Sequence, residues 1–116
     1  MKKQWVLLAV LVIIACNPVV AKVTLPAIIS DNMVLQQGTR VNIWGKAEPG
    51  ETITVKPSWA AKAVTATASG DGKWTMKLKT PRATMKKQSI TVSGENIITV
   101  SNILIGEVWL CGGQSN

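Results

Sequence analysis

A serine in a glycine-rich turn is the residue of this sequence best suited to covalent chemistry. Ser115 follows Gly112 and Gly113, directly after an apolar stretch, residues 107–111, whose composition predicts a buried strand. In α/β folds such a strand-to-turn passage lifts a nucleophile to the carboxyl edge of a sheet, where backbone N–H groups can stabilise an oxyanion. The residues alone leave a second interpretation open, because a serine beside glycines also serves as a plain turn or a helix N-cap.

Other residue types that carry catalysis or bind metals are sparse. The chain contains no histidine, so these residues alone cannot form a Ser-His-Asp or Cys-His site, and they lack the commonest transition-metal ligand. Cys16 and Cys111 do not have metal-ligand spacing, and no G-x-G-x-x-G pattern follows a strand. We therefore predict no cofactor and no metal. Four carboxylates in or beside turns are interpreted as solvated turn residues: Glu48, Glu51, Asp71 and Glu95.

Residues 1–21 have the layout of a secretory signal peptide. Two lysines precede an apolar run over 5–15, and small residues follow. The run is shorter than the roughly 20 residues that span a bilayer. A signal-peptidase site at Ala21 would leave Lys22 as the first mature residue, whereas the segment ending at Cys16 resembles a bacterial lipobox. We expect export to the periplasm or the medium, with membrane attachment only if Cys16 is lipidated.

From residue 22 onward the pattern of side chains predicts β-strands. Residues 51–56 alternate, with Ile53 and Val55 on one face, and residues 73–79 alternate apolar side chains with lysines and a threonine. The second of these strands should anchor the core through Trp74, Met76 and Leu78. Further strands are predicted at 41–44, 62–68, 88–93 and 96–103, with a type II turn at 47–50, a hairpin connection at 69–72 and a turn at 94–95.

Short strands separated by Gly and Pro turns predict an all-β sandwich. The stretch after residue 105 differs, because its strand is apolar on both faces, as in a parallel sheet covered by helices. We therefore predict a signal peptide over 1–21, a β-sandwich domain over 22–104 and the first strand of an α/β domain over 105–116.

The chain is basic, with a formal net charge of +7. The basic residues are spread along the sequence without an arginine cluster or interleaved exposed aromatic residues, so we predict a solvated basic face and no nucleic-acid binding. Alternation places Trp74 in the core. Trp59 follows a Lys-Pro-Ser segment in a predicted loop and is the tryptophan best placed to contact a sugar, while the face of Trp44 stays open.

The final stretch, G-E-V-W-L-C-G-G-Q-S-N over residues 106–116, resembles the nucleophile block of the sialate O-acetylesterases, a branch of the SGNH hydrolases. The segment L-P-A-I-I-S-D-N-M-V-L-Q-Q-G over 25–38 resembles the opening of the same proteins. Similar matches occur in V-N-I-W-G-K-A over 41–47, in P-G at 49–50 and in G-D-G-K-W over 70–74. Together they cover the chain after residue 21 in the family's order.

The resemblance implies a β-sandwich followed by an SGNH-type α/β domain that removes O-acetyl groups from sialic acid or related acetylated glycans. Ser115 matches the family's nucleophile, and its own backbone N–H would be one oxyanion donor. The family's other oxyanion donors and its Asp-x-x-His segment have no counterpart in this sequence, which ends at Asn116. We therefore expect a fragment of an exported carbohydrate esterase that has no activity by itself.

Two other interpretations stay open at this point. The chain could be a stand-alone β-sandwich module that binds a glycan or another protein. It could also be the non-functional product of a frameshift or an incomplete gene model, in which case the apolar strand over 108–111 would promote aggregation through its unpaired edge.

Overall fold

Alternating apolar and polar side chains build two β-sheets, which the computed structural model describes over residues 22–108. No residue in this range is helical, so the all-β class is confirmed and nothing described forms a helix able to cross a membrane. The strands are β1 (Val34–Gln36), β2 (Arg40–Lys46), β3 (Thr52–Pro57), β4 (Val64–Thr67), β5 (Lys73–Lys79), β6 (Thr84–Ser93) and β7 (Ile97–Gly106).

The larger sheet has five strands in the order β1-β7-β6-β3-β4, and the smaller sheet pairs β2 with β5. All pairs are antiparallel except β1 with β7, which is parallel. Buried side chains from both sheets form one hydrophobic core, so the arrangement is a small sandwich. The largest fully buried side chains are Val23, Ile43, Ile53, Val55, Pro57, Leu78, Ile90, Val92 and Ile103.

Strand β5 confirms the alternation predicted from the sequence. Trp74, Met76 and Leu78 are buried, and the residues between them are exposed. Ile53 and Val55 on β3 are likewise fully buried. Each such side chain contributes roughly 1.5–3 kcal/mol when it leaves water, which explains why both strands direct these residues into the shared core.

The turn between β4 and β5 closes locally like a hairpin, but the hairpin pairing predicted for these strands is wrong. The Ser69 N–H donates to the Lys73 carbonyl at 2.8 Å, and the Gly72 N–H donates to the Ser69 carbonyl at 2.9 Å. Beyond the turn, β4 pairs with β3 and β5 pairs with β2. The chain therefore changes sheet here, because the apolar face of β5 is buried against the larger sheet instead of lying beside β4.

The predicted type II turn is present, one residue further along than expected. The Glu51 N–H donates to the Glu48 carbonyl at 3.0 Å. Pro49 and Gly50 therefore occupy the two central positions, and Gly50 has the positive φ of 81° that the second of these positions requires.

The last strand, β7, is longer than predicted and carries a local irregularity. Val100, Ile103 and Ile105 are buried, so the two-residue alternation is broken once, at Asn102, whose φ is 56°. The strand ends at Gly106. In the predicted strand over 107–111, Glu107 and Val108 lie outside any strand, and the other three residues lie outside the described part of the chain.

The close approach of Thr24 to β2 gives a test of packing at Gly45. A Cβ added to Gly45 would collide with the Thr24 carbonyl oxygen and come within 3.0 Å of the Trp74 ring. We expect Gly45→Ala to lower the free energy of unfolding by about 1–3 kcal/mol, as overpacking does. Urea denaturation measures this change.

Gly70→Ala is the matched control, because a Cβ at Gly70 meets no heavy atom within 4 Å. Its free energy of unfolding should stay close to that of the wild type. Equal stability of the two variants would contradict the packing described for Gly45.

Candidate functional site

The predicted nucleophile lies outside the residues that the structure describes. Ser115, whose backbone N–H is also the predicted oxyanion donor, belongs to residues 109–116, and Cys16 belongs to the predicted signal peptide. The roles predicted for Ser115 and Cys16 therefore stay predictions. The structure does give the segment that leads towards Ser115, residues 106–108, and the contacts that hold it.

The Glu107 side chain is held by two glutamines that follow one another at the end of β1. Its carboxylate accepts hydrogen bonds from Gln36 Nε2 at 3.0 Å and from Gln37 Nε2 at 2.6 Å. Gln36 Oε1 accepts the Val108 N–H at 2.9 Å, and the Gly106 carbonyl accepts the Gln37 N–H at 2.8 Å. We call residues Gln36, Gln37 and 106–108 the junction.

A second layer of hydrogen bonds fixes the two glutamines themselves. Thr80, which is buried, donates its hydroxyl to the Gln36 carbonyl at 2.6 Å and accepts the Thr39 N–H at 3.1 Å. Gln37 Oε1 accepts the Ala83 N–H at 2.9 Å. The Thr80 hydroxyl thus fixes the main chain at Gln36, and the Ala83 N–H in the loop after β5 orients the Gln37 side chain.

The junction joins two segments that resemble the esterase family separately. Residues 25–38 supply both glutamines, and residues 106–116 supply Glu107. The parallel pairing of β1 with β7 brings them together, with Gln36 opposite Gly106. No spacing along the sequence indicates this contact, because about 70 residues separate the partners.

Hydrogen bonding lowers the pKa of Glu107. The Gln36 and Gln37 amides stabilise the ionised carboxylate, and the slight burial that opposes this effect is smaller. The pKa of Asp71 is lowered as well, chiefly because the Ser69 hydroxyl donates to its carboxylate. Both groups are exposed.

Two carboxylates near the family-like segments have structural partners. Asp31 accepts the Ser101 N–H at 2.8 Å. Glu51 accepts the N–H groups of Glu48 at 3.0 Å and Glu95 at 2.5 Å, so it ties two turns together instead of being simply solvated as predicted. Residues 22–108 contain no group of three or more potential metal ligands.

The sequence suggested that the basic residues are spread evenly, but the structure gathers several of them on one face. An exposed tryptophan lies among them. Five of them share the outer face of the β2–β5 sheet with Trp44, which is 41% exposed. The expectation that no exposed aromatic residue is interleaved with the basic residues is therefore wrong. The alternation within each strand indicates the outward residues, but only the pairing of the strands places them side by side. The five residues are Arg40, Lys46, Lys73, Lys77 and Lys79.

The three tryptophans of the described region have different settings. Trp74 is buried, as predicted, and its indole N–H donates to the Lys46 carbonyl at 3.3 Å. Trp59 is half-buried, packs against the core and donates to the Lys79 carbonyl at 2.9 Å. Trp44 is therefore better placed than Trp59 to contact a ligand.

Sequence comparison finds similarity to proteins named sialate O-acetylesterase. Sialate O-acetylesterase from Homo sapiens is 34% identical over 98 residues, which cover 76% of this chain. The protein of the same name from Mus musculus shows the same identity and coverage. The chain spans only 18% of the length of each of these relatives. No family model matches the sequence.

A solved structure agrees with this similarity in both sequence and fold. The crystal structure of a carbohydrate acetylesterase from Xanthomonas citri superimposes with a TM-score of 0.68 at 30% identity, covering 75% of this chain and 20% of that one. The chain matches part of a sialate O-acetylesterase. The resemblance predicted from the sequence is thus confirmed. The part of the chain that the structure describes, residues 22–108, contributes the β-sandwich.

The junction gives a pH-dependent prediction. Because the folded-state pKa of Glu107 lies below its ordinary value, the stabilisation from its hydrogen bonds is fully present above the ordinary pKa of a glutamate. It is lost as the pH falls through the lowered, folded-state pKa. We expect the side-chain NH₂ resonances of Gln36 and Gln37 to titrate together in an NMR experiment, with a midpoint below that of a free glutamate.

The side-chain amide of Gln88, which donates to the Lys86 carbonyl, is the internal control and should not follow this titration. Glu107→Gln should abolish the shared titration of the two junction amides. Titration at the ordinary value for a glutamate would show that the two glutamines do not hold the carboxylate in solution.

Proposed function

We propose that this chain carries the β-sandwich and the nucleophile segment of an exported carbohydrate esterase that removes O-acetyl groups from sialic acid or related sugars. The proposal rests on one observation, the agreement of both sequence and fold with acetylesterases, each over about three quarters of the chain. Ser115 would be the nucleophile, since the segment 106–116 resembles the family's nucleophile block and Ser115 matches its serine.

The proposed chemistry is acyl transfer through a serine ester. The Ser115 hydroxyl would attack the acetyl carbonyl carbon while a base takes its proton, and its own backbone N–H would donate to the oxyanion. The sugar hydroxyl leaves with a proton, and water then releases acetate from the serine. The base would be a histidine, which these 116 residues do not contain.

The β-sandwich would contribute a fixed starting point for the nucleophile segment. The side chains of Gln36 and Gln37 hold Glu107, and that of Gln36 also holds Val108. The Gln37 side chain accepts the N–H of Ala83 in the loop after β5, and the Gln36 carbonyl accepts the Thr80 hydroxyl. In a site where small displacements of the nucleophile cost rate, this anchoring supports a positioning role for the junction. It does not place any junction residue in contact with substrate.

Activity measurements distinguish the 116-residue chain, which we expect to be inactive, from the complete esterase that we propose. The purified 116-residue chain should not hydrolyse an aryl acetate above the rate of the buffer, because a serine hydroxyl without a base is a weak nucleophile. The complete product of the gene in its source organism, whatever its length, should release acetate from 9-O-acetylated N-acetylneuraminic acid.

Ser115→Ala in that gene product should abolish the release of acetate, while Ser93→Ala, on the sandwich, serves as the matched serine control. Activity of the 116-residue chain that disappears in Ser115→Ala would refute the need for a further base. Activity of the gene product that survives Ser115→Ala would refute the nucleophile.

Export is tested through the first residue of the mature protein. We propose that residues 1–21 direct secretion, so N-terminal sequencing of the protein made in a bacterial host should begin at Lys22. Cleavage before Cys16, together with incorporation of labelled palmitate, would instead establish the lipid-anchored alternative. Recovery of the uncleaved chain from the cytoplasm would contradict export altogether.

A binding role for the sandwich itself is the second candidate function. The specific observation in its favour is Trp44, an exposed aromatic side chain surrounded by basic residues on a regular sheet face.

A further inference from the structure

The outer surface of the smaller sheet concentrates positive charge. Side chains that point outwards from β2 and β5 are all exposed, and five of the eight are cationic while none is anionic. We call this surface the β2–β5 face. Its residues are Arg40, Asn42, Trp44 and Lys46 on β2 and Lys73, Thr75, Lys77 and Lys79 on β5.

The strand register sets like charges directly opposite one another at both ends of this face. Arg40 pairs with Lys79, and Lys46 pairs with Lys73. Directly opposed like charges destabilise an antiparallel pair. The nearest compensation is Asp71, whose carboxylate lies 4.0 Å from Lys73 Nζ with both groups well exposed, and such a surface ion pair is weak. An anion bound to the face would relieve this repulsion.

Trp44 lies between the two charged ends and borders a groove. It is opposite Thr75 and two residues from Asn42, so hydroxyl and amide groups flank its ring. Leu25 and Pro26 line the other side of the groove, where the chain pairs with the edge of β2 through Thr24 and Lys46.

The indole N–H of Trp44 has no hydrogen-bond partner within residues 22–108, in contrast to the indoles of Trp59 and Trp74. The ring is therefore available both for stacking and for donating a hydrogen bond. An aromatic ring beside amide and hydroxyl groups suits a ligand that has one apolar face and a polar rim.

We propose that the β2–β5 face binds an acidic polysaccharide, with one sugar ring stacked on Trp44 and the carboxylates of the sugars beside Lys46 and Lys73. Asn42 and Thr75 would hydrogen-bond to sugar hydroxyls. This binding would hold a polymeric substrate on the sandwich, separately from any hydrolysis at Ser115.

The composition of the face favours a saccharide over a nucleic acid. Single-stranded nucleic acids are held by successive aromatic platforms and by arginine forks that match phosphate, whereas this face has one aromatic ring and one arginine. The attraction for anions follows from the face alone. The choice of a carbohydrate rests on the proposed function.

Equilibrium binding to the 116-residue chain tests the proposal. The probe is a fluorescently labelled α2,8-linked octamer of N-acetylneuraminic acid, followed by fluorescence anisotropy at low and at physiological ionic strength. We expect saturable binding that weakens as salt is added, because exposed charges are screened. A neutral maltooctaose should bind at least about tenfold more weakly, since it lacks the charge that pairs with the lysines.

Variants separate stacking from charge. Trp44→Ala should weaken binding about tenfold, as the loss of one stacking platform does, and Trp44→Phe should retain most of the affinity. The double variant Lys46→Gln/Lys73→Gln should weaken binding and flatten its salt dependence. Its matched control is Lys62→Gln/Lys87→Gln, which removes the same charge from exposed lysines outside the face. Thermal unfolding of every variant verifies that it is folded.

Several outcomes would overturn the proposal. They are unchanged affinity in folded Trp44→Ala, an equal loss in the control double variant, and tighter binding of a single-stranded DNA octamer or of phosphatidylserine vesicles than of the sialic acid octamer. Tighter binding of the DNA would assign the face to a nucleic acid, and tighter binding of the vesicles would assign it to a membrane. Ser115→Ala should bind the octamer as the wild type does, so a failure here is distinguishable from a failure of the esterase proposal.

Discussion

The shared hydrophobic core between the two sheets is the constraint on which the rest of the structure depends. Ile43 from β2 and Trp74, Met76 and Leu78 from β5 are buried together with the inward residues of the larger sheet. Because successive side chains of a strand point to opposite faces, burying these residues forces the intervening lysines outwards. The charge on the β2–β5 face is a direct consequence of how the core is filled.

The same core explains why the chain changes sheet between β4 and β5. In a simple hairpin, β5 would pair with β4 in the larger sheet. Its apolar side chains would then have no second sheet to pack against. Gly72, with φ of 77°, allows the tight corner, and its carbonyl accepts the Ala47 N–H at 2.9 Å. The β2–β5 sheet can then cover the inner face of the larger sheet, as sandwich packing requires.

At the far edge of the larger sheet, the parallel pairing of β1 with β7 has a comparable consequence. It places Gln36 and Gln37 beside Glu107, and their amides hold the chain that leads towards the predicted nucleophile, Ser115. The junction and the β2–β5 face lie on different sheets. A positioning role for one and a binding role for the other can therefore coexist in a single small domain.

The sequence by itself determined the all-β class, the buried face of β3 and β5, the turn at Pro49 and Gly50, and the resemblance to acetylesterases. These properties are local, since they follow from side-chain alternation, from the φ preference of glycine and from short motifs. Only the tertiary structure decided which strands pair, where Glu107 finds its partners and that Trp44 lies among five cations. Those properties depend on residues about 30 to 70 positions apart, and contacts at such separations leave no periodic signal in the chain.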